Sequence, residues 1–217
     1  MLFILFYLVL YLAPIYTAYT PYPINSKHID LNNYYHYQQA FDHFEINKIR
    51  SMVQNESFHN ATLLSCPESP ESPEKTNEIR ISHIQWIQDS HKTQWLYQKI
   101  LRLAKQANDA MYHFKLTHIK DIQYTRYNNH GKYDWHVDLG KGDAALRKLS
   151  MVMLLSNPAD FEGGALELRL GNGIYTAPLK QHGDVVFFPS YILHRVLPVI
   201  EGTRESLVVW VNGYPFQ

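Results

Sequence analysis

The spacing of apolar residues changes along this chain and divides it into a helical part and a β-rich part. Apolar residues recur at helical spacing over 42–54 and again over 93–111, which predicts two amphipathic helices packed on a core. From residue 116 onward the apolar residues form short runs or alternate with polar ones, a pattern typical of strands. The predicted strands lie at 79–86, 121–127, 148–156, 165–170, 184–188 and 207–211.

The order of these elements determines the expected fold class. The helices precede most of the strands, whereas a parallel α/β sheet needs helices between its strands. Turns rich in Gly, Asn and Asp separate the strands, and the sequence contains no glycine loop of the kind that binds phosphate. We therefore expect a mainly β protein with flanking helices, in which an antiparallel sandwich or barrel packs against the N-terminal helices.

Residues 1–18 form a hydrophobic segment that differs from the rest of the chain. The run from Met1 to Ala13 is almost wholly apolar, and Pro14 follows it. Its length suits the apolar part of a signal peptide better than a membrane span, which needs about 20 residues. No Lys or Arg precedes Lys27, so a membrane anchor and a packed N-terminal segment stay open as alternatives. The segment predicts a protein exported or membrane-anchored through residues 1–18, and otherwise cytoplasmic.

Length, composition and charge indicate one globular domain behind that segment. The chain has 217 residues, of which 46% are hydrophobic and 14% aromatic, enough for a substantial core. We assign 19–40 to a connector and 41–217 to a single domain, with a helical part at 41–115 and a β core at 116–215. Lys and Arg total 20, as do Asp and Glu, so the chain lacks the basic excess typical of nucleic-acid binders.

The chain has one cysteine, Cys66, so these residues can form neither an intramolecular disulfide nor a zinc–cysteine cluster. Cys66 lies in the segment 65–76, where repeated Pro and Glu predict a surface loop. We interpret it as an inert thiol in a loop insertion rather than as a reactive nucleophile.

The candidate chemistry centres on the stretch 127–138, YNNHGKYDWHVD. On a strand, residues two apart point to the same side, so His136 and Asp138 can converge while Val137 packs on the other side. His194 ends the apolar run DVVFFPSYILH, which would return it to the same region. Two histidines and one carboxylate are the ligand set of one face of non-haem Fe(II). A single His-x-Asp is common, however, and a surface His–Asp pair is the ordinary alternative.

Arg204 opens the last predicted strand, and Ser206 shares its face because it lies two residues later. A buried arginine is costly without an anionic partner. The pair Arg204 and Ser206 would therefore make a cradle for a carboxylate. A solvent-exposed surface arginine is the ordinary alternative.

These residues carry a resemblance to a known family over about 75–213. The chain resembles Fe(II)/2-oxoglutarate-dependent dioxygenases of the prolyl 4-hydroxylase-like kind, and in particular PKHD-type hydroxylases. In the tyrosine motif the family's glycine usually stands one residue earlier, where this chain has His130. The matching elements are Tyr127-x-x-x-Gly131-x-Tyr133-x-x-His136-x-Asp138, the KLSMVMLLS strand, the Glu162-Gly163-Gly164 loop, the DVVFFPS strand, and His194 followed by Arg204.

The resemblance implies a double-stranded β-helix (jelly-roll) core and a set of site roles. His136, Asp138 and His194 would bind Fe(II), and Arg204 would hold 2-oxoglutarate with Ser206 and Tyr127. His136, Asp138, His194 and Arg204 would be the catalytic residues. The implied reaction consumes O2 and 2-oxoglutarate, releases succinate and CO2, and hydroxylates a C–H bond of a small-molecule or peptide substrate, such as peptidyl proline. L-ascorbate is the family's typical reductant, and no nucleic-acid partner is expected.

Two other functions remain open at this stage. One is a catalytically silent jelly-roll module that binds or senses iron or a carboxylate, but such a module is expected to have lost a ligand, and this sequence retains all of them. The other is a metal hydrolase that uses zinc at the same three ligands, which would leave Arg204 without a role.

Overall fold

Two antiparallel sheets face each other in this protein, and two helices cover the outer side of the larger sheet. The computed structural model describes residues 33–53, 58–61 and 79–215. The helices are α1 (His43–Val53) and α2 (Gln94–Ala107), and a π-helical turn (Asn108–Tyr112) extends α2. The strands are β1 (Tyr35–Tyr37), β2 (His59–Asn60), β3 (Arg80–Ile81), β4 (His83–Ile87), β5 (Leu116–Tyr127), β6 (Lys132–His136), β7 (Arg147–Leu154), β8 (Phe161–Gly163), β9 (Leu166–Leu170), β10 (Gly173–Thr176), β11 (Val185–Pro189), β12 (His194–Val196), β13 (Val199–Gly202) and β14 (Arg204–Gly213).

The larger sheet, called the major sheet below, has seven strands in the order β1-β11-β7-β14-β5-β4-β2. The minor sheet has five strands in the order β10-β9-β12-β6-β3, and β13 and β8 form a separate pair. Every pairing is antiparallel, and strands that are distant in sequence lie side by side. This confirms the expected mainly β fold with a jelly-roll core and flanking helices.

Alternation along the strands of the major sheet separates the core from the cavity between the sheets. In β14, Leu207, Val209 and Val211 are fully buried against α1 and α2. The even-numbered residues of the same strand, Arg204, Ser206, Val208 and Trp210, line the cavity instead. Because side chains alternate across a strand, one strand supplies both the apolar core and the polar wall of the cavity.

The predicted strand at 79–86 is in fact two strands that belong to different sheets. β3 pairs with β6 of the minor sheet, whereas β4 pairs with β5 of the major sheet. Ser82 lies between them, and its hydroxyl accepts a hydrogen bond from Nε of Arg80 at 2.9 Å. The sequence predicted a single strand because the apolar residues continue across this crossing without a turn signal.

The structure also changes the interpretation of the N-terminal region. Tyr35–Tyr37, assigned above to a connector, form the edge strand β1 and pair with β11. Residues 1–32, with the hydrophobic segment and most of the connector, lie outside the described residues, as do Cys66 and the loop 65–76. Within the described ranges, no helix has both the length and the apolar character needed to cross a membrane.

Both predicted helices are confirmed, with one difference at the end of the second. The range 42–54 corresponds to α1, whose Ile46, Ile49 and Val53 are buried. The range 93–111 covers α2 but extends into the π-helical turn, which ends where His113 adopts a left-handed backbone with a φ of 56°. Asn108 fixes this end because its side chain bonds both the N–H and the carbonyl of Phe114.

Candidate metal centre and cosubstrate pocket

The two histidines lie opposite each other on neighbouring strands of the minor sheet. His136 ends β6 and His194 begins β12, and the antiparallel pairing of these strands makes the two residues direct partners. Paired residues project to the same face of a sheet, so the imidazole rings meet, with their centroids 4.1 Å apart. The sequence predicted that the two histidines lie in one region, and the register of β6 and β12 places them directly opposite each other.

Asp138 completes a cluster of three possible metal ligands. One ligand atom from each of His136, Asp138 and His194 lies within 4.8 Å of the others. The Nε2 atoms of His136 and His194 lie 3.8 and 3.5 Å from the Asp138 carboxylate. The sequence predicted Asp138 on the same strand as His136, but β6 ends at His136 and Asp138 follows it. Val137, which was expected to pack, is 44% exposed.

Backbone carbonyl groups orient both imidazole rings. Nδ1 of His136 lies 2.8 Å from the carbonyl oxygen of Asp134, and Nδ1 of His194 lies 2.8 Å from that of Ile192. A carbonyl only accepts, so each Nδ1 carries the proton and each Nε2 presents a lone pair toward the cluster. Histidine ligands of metal ions typically have such an outer partner.

Three residues outside the His-x-Asp motif hold Asp138 in place. The Ser150 hydroxyl on β7 donates to Oδ2 of Asp138 at 2.6 Å. The carbonyl of Ser190 accepts the backbone N–H of Asp138 at 2.9 Å, and Arg147 donates to its carbonyl at 3.2 Å. These supports were missed in the sequence, where no local pattern links them to Asp138.

Burial and neighbouring groups keep His136 and Asp138 in the forms that bind metals. Burial, together with the adjacent His194, lowers the pKa of His136 to about 3, so its imidazole is neutral at pH 7. Burial alone would raise the pKa of Asp138. Attraction to His194 and His136 and the hydrogen bond from Ser150 outweigh that effect and lower it, so the carboxylate is ionised.

Aromatic rings form walls beside the cluster. Tyr133 stacks on His136 with ring centroids 3.4 Å apart, and Phe188 packs edge-on against His194 at 4.8 Å. Tyr133 lies three residues before His136 on β6, and Phe188 comes from β11 of the opposite sheet. Both rings restrict the histidine orientations, a role that the sequence analysis did not assign to them.

Arg204 lies deep in the same cavity, on the major sheet. Its side chain is only 2% exposed, and its guanidinium donates to the Ser206 hydroxyl at 3.2 Å. The Tyr127 ring lies 5.6 Å from the guanidinium carbon. Burial lowers the pKa of Arg204, and no ion pair among the described residues includes it. A buried, poorly solvated cation of this kind favours an anionic ligand.

Glycine provides the space that Arg204 occupies. A Cβ atom at Gly164 would come within 2.8 Å of Cδ of Arg204, and the φ of Gly164 is +61°. Gly164 belongs to the Gly-Gly loop noted in the sequence, and its backbone N–H donates to the Pro198 carbonyl. The loop therefore matters for the shape of the cavity rather than for direct contact with a ligand.

The shifted glycine of the tyrosine motif also has a structural explanation. His130 adopts a left-handed backbone with a φ of 64°, a conformation that glycine adopts more readily. A Cβ atom at Gly131 would lie 2.6 Å from the Asn128 carbonyl oxygen, so this position also requires glycine. The turn survives the shift, and Tyr127 remains buried beside Arg204.

A single cavity between the sheets contains all six candidate residues. The three possible metal ligands lie on the minor-sheet side, and Arg204, Ser206 and Tyr127 lie on the major-sheet side. Three N and O donors on one side of a metal would leave its other positions open for a cosubstrate. The other lining residues are Arg80, Ile84, Trp86, Gln123, Tyr133, Arg147, Val152, Leu166, Val196, Val208 and Trp210.

Comparison with known proteins identifies relatives of this β-rich region. Residues 122–212 match the family described as the 2OG-Fe(II) oxygenase superfamily. A PKHD-type hydroxylase from Teredinibacter turnerae is 33% identical over 96 residues, which cover 42% of each chain. Another from Hyphomonas neptunium is 41% identical over 85 residues, covering 37% of this chain and 38% of that protein. The matched segments thus span about two fifths of the length of these relatives.

Solved structures share the fold over most of the chain. A prolyl-4-hydroxylase from Pseudomonas putida has a TM-score of 0.63 and 19% identity, covering 84% of this chain and 94% of that one. A prolyl hydroxylase from Trichoplax adhaerens, solved with a peptide of hypoxia inducible factor, has a TM-score of 0.67 and 17% identity, covering 84% of both chains. At these identities the likeness concerns the fold.

Proposed function

We propose that the protein is an Fe(II)- and 2-oxoglutarate-dependent dioxygenase, a proposal supported by the match of residues 122–212 to the 2OG-Fe(II) oxygenase superfamily. It hydroxylates a C–H bond of a small-molecule or peptide substrate and releases succinate and CO2. The observation that carries this proposal is one cavity holding both the triad of His136, Asp138 and His194 and the buried Arg204, which forms no ion pair with any described residue.

The triad fits Fe(II) by its donor chemistry. The two Nε2 lone pairs and the Asp138 carboxylate face one point, and the hydrogen bonds at Nδ1 fix that arrangement. Fe(II) held there would allow O2 to act as the oxidant of the C–H bond, while 2-oxoglutarate would supply two electrons and leave as succinate and CO2. The chain's own contribution includes a neutral imidazole at His136 and an ionised carboxylate at Asp138, neither of which has to lose a proton before the metal binds.

Arg204, Ser206 and Tyr127 would hold the carboxylate of 2-oxoglutarate that lies away from the metal. Arg204 supplies the charge, and a carboxylate offsets the cost of burying it. The Ser206 hydroxyl accepts from Arg204, so its own proton is free to be donated to the ligand. Burial raises the pKa of Tyr127, which keeps its phenol protonated as a further donor.

The walls of the cavity exclude water from the reacting groups. Val152 lines the cavity from the major sheet, and Leu166 and Val196 line it from the minor sheet. All three side chains are buried. In such an environment the attraction between Arg204 and a bound carboxylate is stronger than in water. Peptidyl proline is one candidate substrate, supported by the prolyl hydroxylases that share the fold, and ascorbate is a candidate reductant.

The direct test is anaerobic titration of the protein with Fe(II) and 2-oxoglutarate, followed by addition of O2. A dioxygenase gives a weak visible charge-transfer band on titration and releases succinate once O2 is admitted. Zn(II)-loaded protein is the control, since it has neither the band nor the redox chemistry. An iron-loaded protein that shows the band but forms no succinate would instead be the silent binding module, and the lack of both signals would refute the proposal.

A further inference from the structure

Arg147 stands at the mouth of the cavity, which we define by Arg147, Trp86 and Trp210. Its guanidinium stacks on the Trp210 ring at 3.9 Å, and its NH1 group donates to the Asp138 carbonyl at 3.2 Å. The side chain is half-buried and lines the cavity. A guanidinium has five N–H donors, so its contact with Asp138 leaves others available.

A second arginine, Arg80, lines the same cavity. It is 7% exposed, and its guanidinium lies over the Tyr133 ring at 4.5 Å. Nε of Arg80 donates to the Ser82 hydroxyl, which is a neutral partner. Across the described residues, neither Arg80 nor Arg147 takes part in an ion pair.

The charges in the cavity do not balance once the cofactors are in place. The lining residues include three arginines and one carboxylate, that of Asp138. The two positive charges of Fe(II) and the two negative charges of 2-oxoglutarate cancel each other. Arg204 serves 2-oxoglutarate, so among the lining residues the excess resides at Arg80 and Arg147. Asp121 and Asp143 attract Arg147 from outside the lining but form no ion pair with it. Uncompensated charge that is shielded from water is costly, and an anion bound nearby offsets that cost.

We propose that the substrate of this oxygenase carries a carboxylate, which Arg147 binds at the cavity mouth while Arg80 adds positive potential. The inference rests on the proposed function and adds the substrate's charge to it. The ring centroids of Trp86 and Trp210 lie 6.1 Å apart, and the two rings provide an apolar wall for the rest of the substrate. The same carboxylate could belong to a small acid or to an acidic residue of a peptide. The alternative is that Arg147 binds a neutral carbonyl oxygen of the substrate rather than a carboxylate.

Binding of matched probes to protein loaded with Fe(II) and 2-oxoglutarate, without O2, tests the charge preference. One pair is phenylacetate and phenylacetamide. The other is acetyl-Ala-Glu-Ala-amide and acetyl-Ala-Gln-Ala-amide, and calorimetry gives each dissociation constant. We expect the acid to bind about tenfold more tightly than the amide in at least one pair, because hydrogen bonds to charged groups are the stronger ones. The pair that shows the preference identifies the source of the carboxylate.

Variants assign the preference to Arg147. Arg147→Gln should abolish it, and Arg147→Lys should retain part of it, because lysine keeps the charge but not the planar fork. Lys120→Gln, which removes an exposed charge nearby, is the control and should keep the full preference. If Arg147→Gln does not fold, a partial loss in Arg147→Lys still supports the assignment, and full retention there contradicts it.

Two results would overturn the inference. One is equal binding of acid and amide in both pairs, including no measurable binding of either. The other is an acid preference that Arg147→Gln leaves intact. The charge-transfer band with 2-oxoglutarate is recorded in the same samples. A band without an acid preference refutes only the carboxylate substrate, whereas the lack of a band in the wild-type protein refutes the dioxygenase function itself.

Discussion

The two sides of the cavity are built in different ways. On the major-sheet side, Arg204 and Ser206 share one face of a single strand, and the two-residue period alone brings them together. On the minor-sheet side, the triad combines the ends of two strands with Asp138, which lies beyond a strand end and depends on distant supports. The proposed anion cradle, formed by Arg204 and Ser206, is therefore a local feature of one strand, whereas the proposed metal centre is a product of tertiary structure.

This difference predicts independent failure of the two sides. Damage to the metal side should leave the anion cradle intact, and damage to the cradle should leave the metal ligands in place. It also predicts that residues outside the three candidate ligands matter more on the metal side, because Ser150, Ser190 and Arg147 all hold Asp138 in place.

The largest effect is expected for His136→Ala. Loss of one of three ligands should abolish iron binding at micromolar Fe(II) and with it all succinate formation, because the remaining two donors no longer fix the metal. Equilibrium dialysis of Fe(II) and a succinate assay measure the two losses. The control is His118→Ala, which substitutes an exposed histidine. If His136→Ala bound Fe(II) with wild-type affinity, His136 would not be a metal ligand.

Arg204→Ala should break the other side alone. Truncating one partner of a buried charge pair costs about 2–5 kcal/mol, so the dissociation constant of 2-oxoglutarate should rise roughly 30-fold or more. Iron binding should stay close to that of the wild type. Titration of the charge-transfer band gives the first quantity and dialysis the second, with the exposed Arg169→Ala as control. Equal loss of both affinities would contradict the separation of the two sides.

The same difference explains how far the sequence alone could predict the site. Arg204 and Ser206 follow from a period-two pattern on one strand, and the structure places them as that pattern predicts. The convergence of His136 and Asp138 was also predicted, but from a strand that ends before Asp138. Ser150 and Ser190 could not be linked to Asp138, since only the pairing of distant strands brings them together.

The fold shows the same limit. The long helices and strands follow from their apolar periods because those periods reflect local burial. The strand β1 has only three residues, Tyr-His-Tyr, which are too few to establish a period, so its pairing with β11 could not be predicted from its own sequence. The crossing at Ser82 was missed for a similar reason. There the chain changes sheets without a change in its local pattern.

Ser150→Ala tests the support of the metal side. Loss of an outer hydrogen bond typically weakens metal binding about 10–100-fold, and we expect this range for Fe(II) with little change at the cradle. The Ser150 hydrogen bond helps to lower the pKa of Asp138. Without it that pKa rises, protons compete better with the metal, and iron release on acidification begins at a higher pH. Dialysis across a pH series measures both effects.

Ser150→Thr retains the hydroxyl and serves as the conservative variant, and the exposed Ser51→Ala serves as the surface control. Recovery of the wild-type pH profile in Ser150→Thr would show that the hydrogen bond, rather than the packing of β7, is responsible. A loss of affinity in Ser150→Ala without any shift of the pH profile would point to packing instead.

The smallest effect is expected for Tyr127→Phe, which decides whether Tyr127 belongs to the anion cradle. The ring is buried beside Arg204, so removing only the hydroxyl preserves the wall and deletes one neutral donor. Such a hydrogen bond contributes about 1 kcal/mol, which corresponds to a roughly fivefold weaker affinity for 2-oxoglutarate. Titration of the charge-transfer band measures it, with the exposed Tyr175→Phe as control. An unchanged dissociation constant would limit Tyr127 to packing and leave Arg204 and Ser206, both on β14, as the whole cradle.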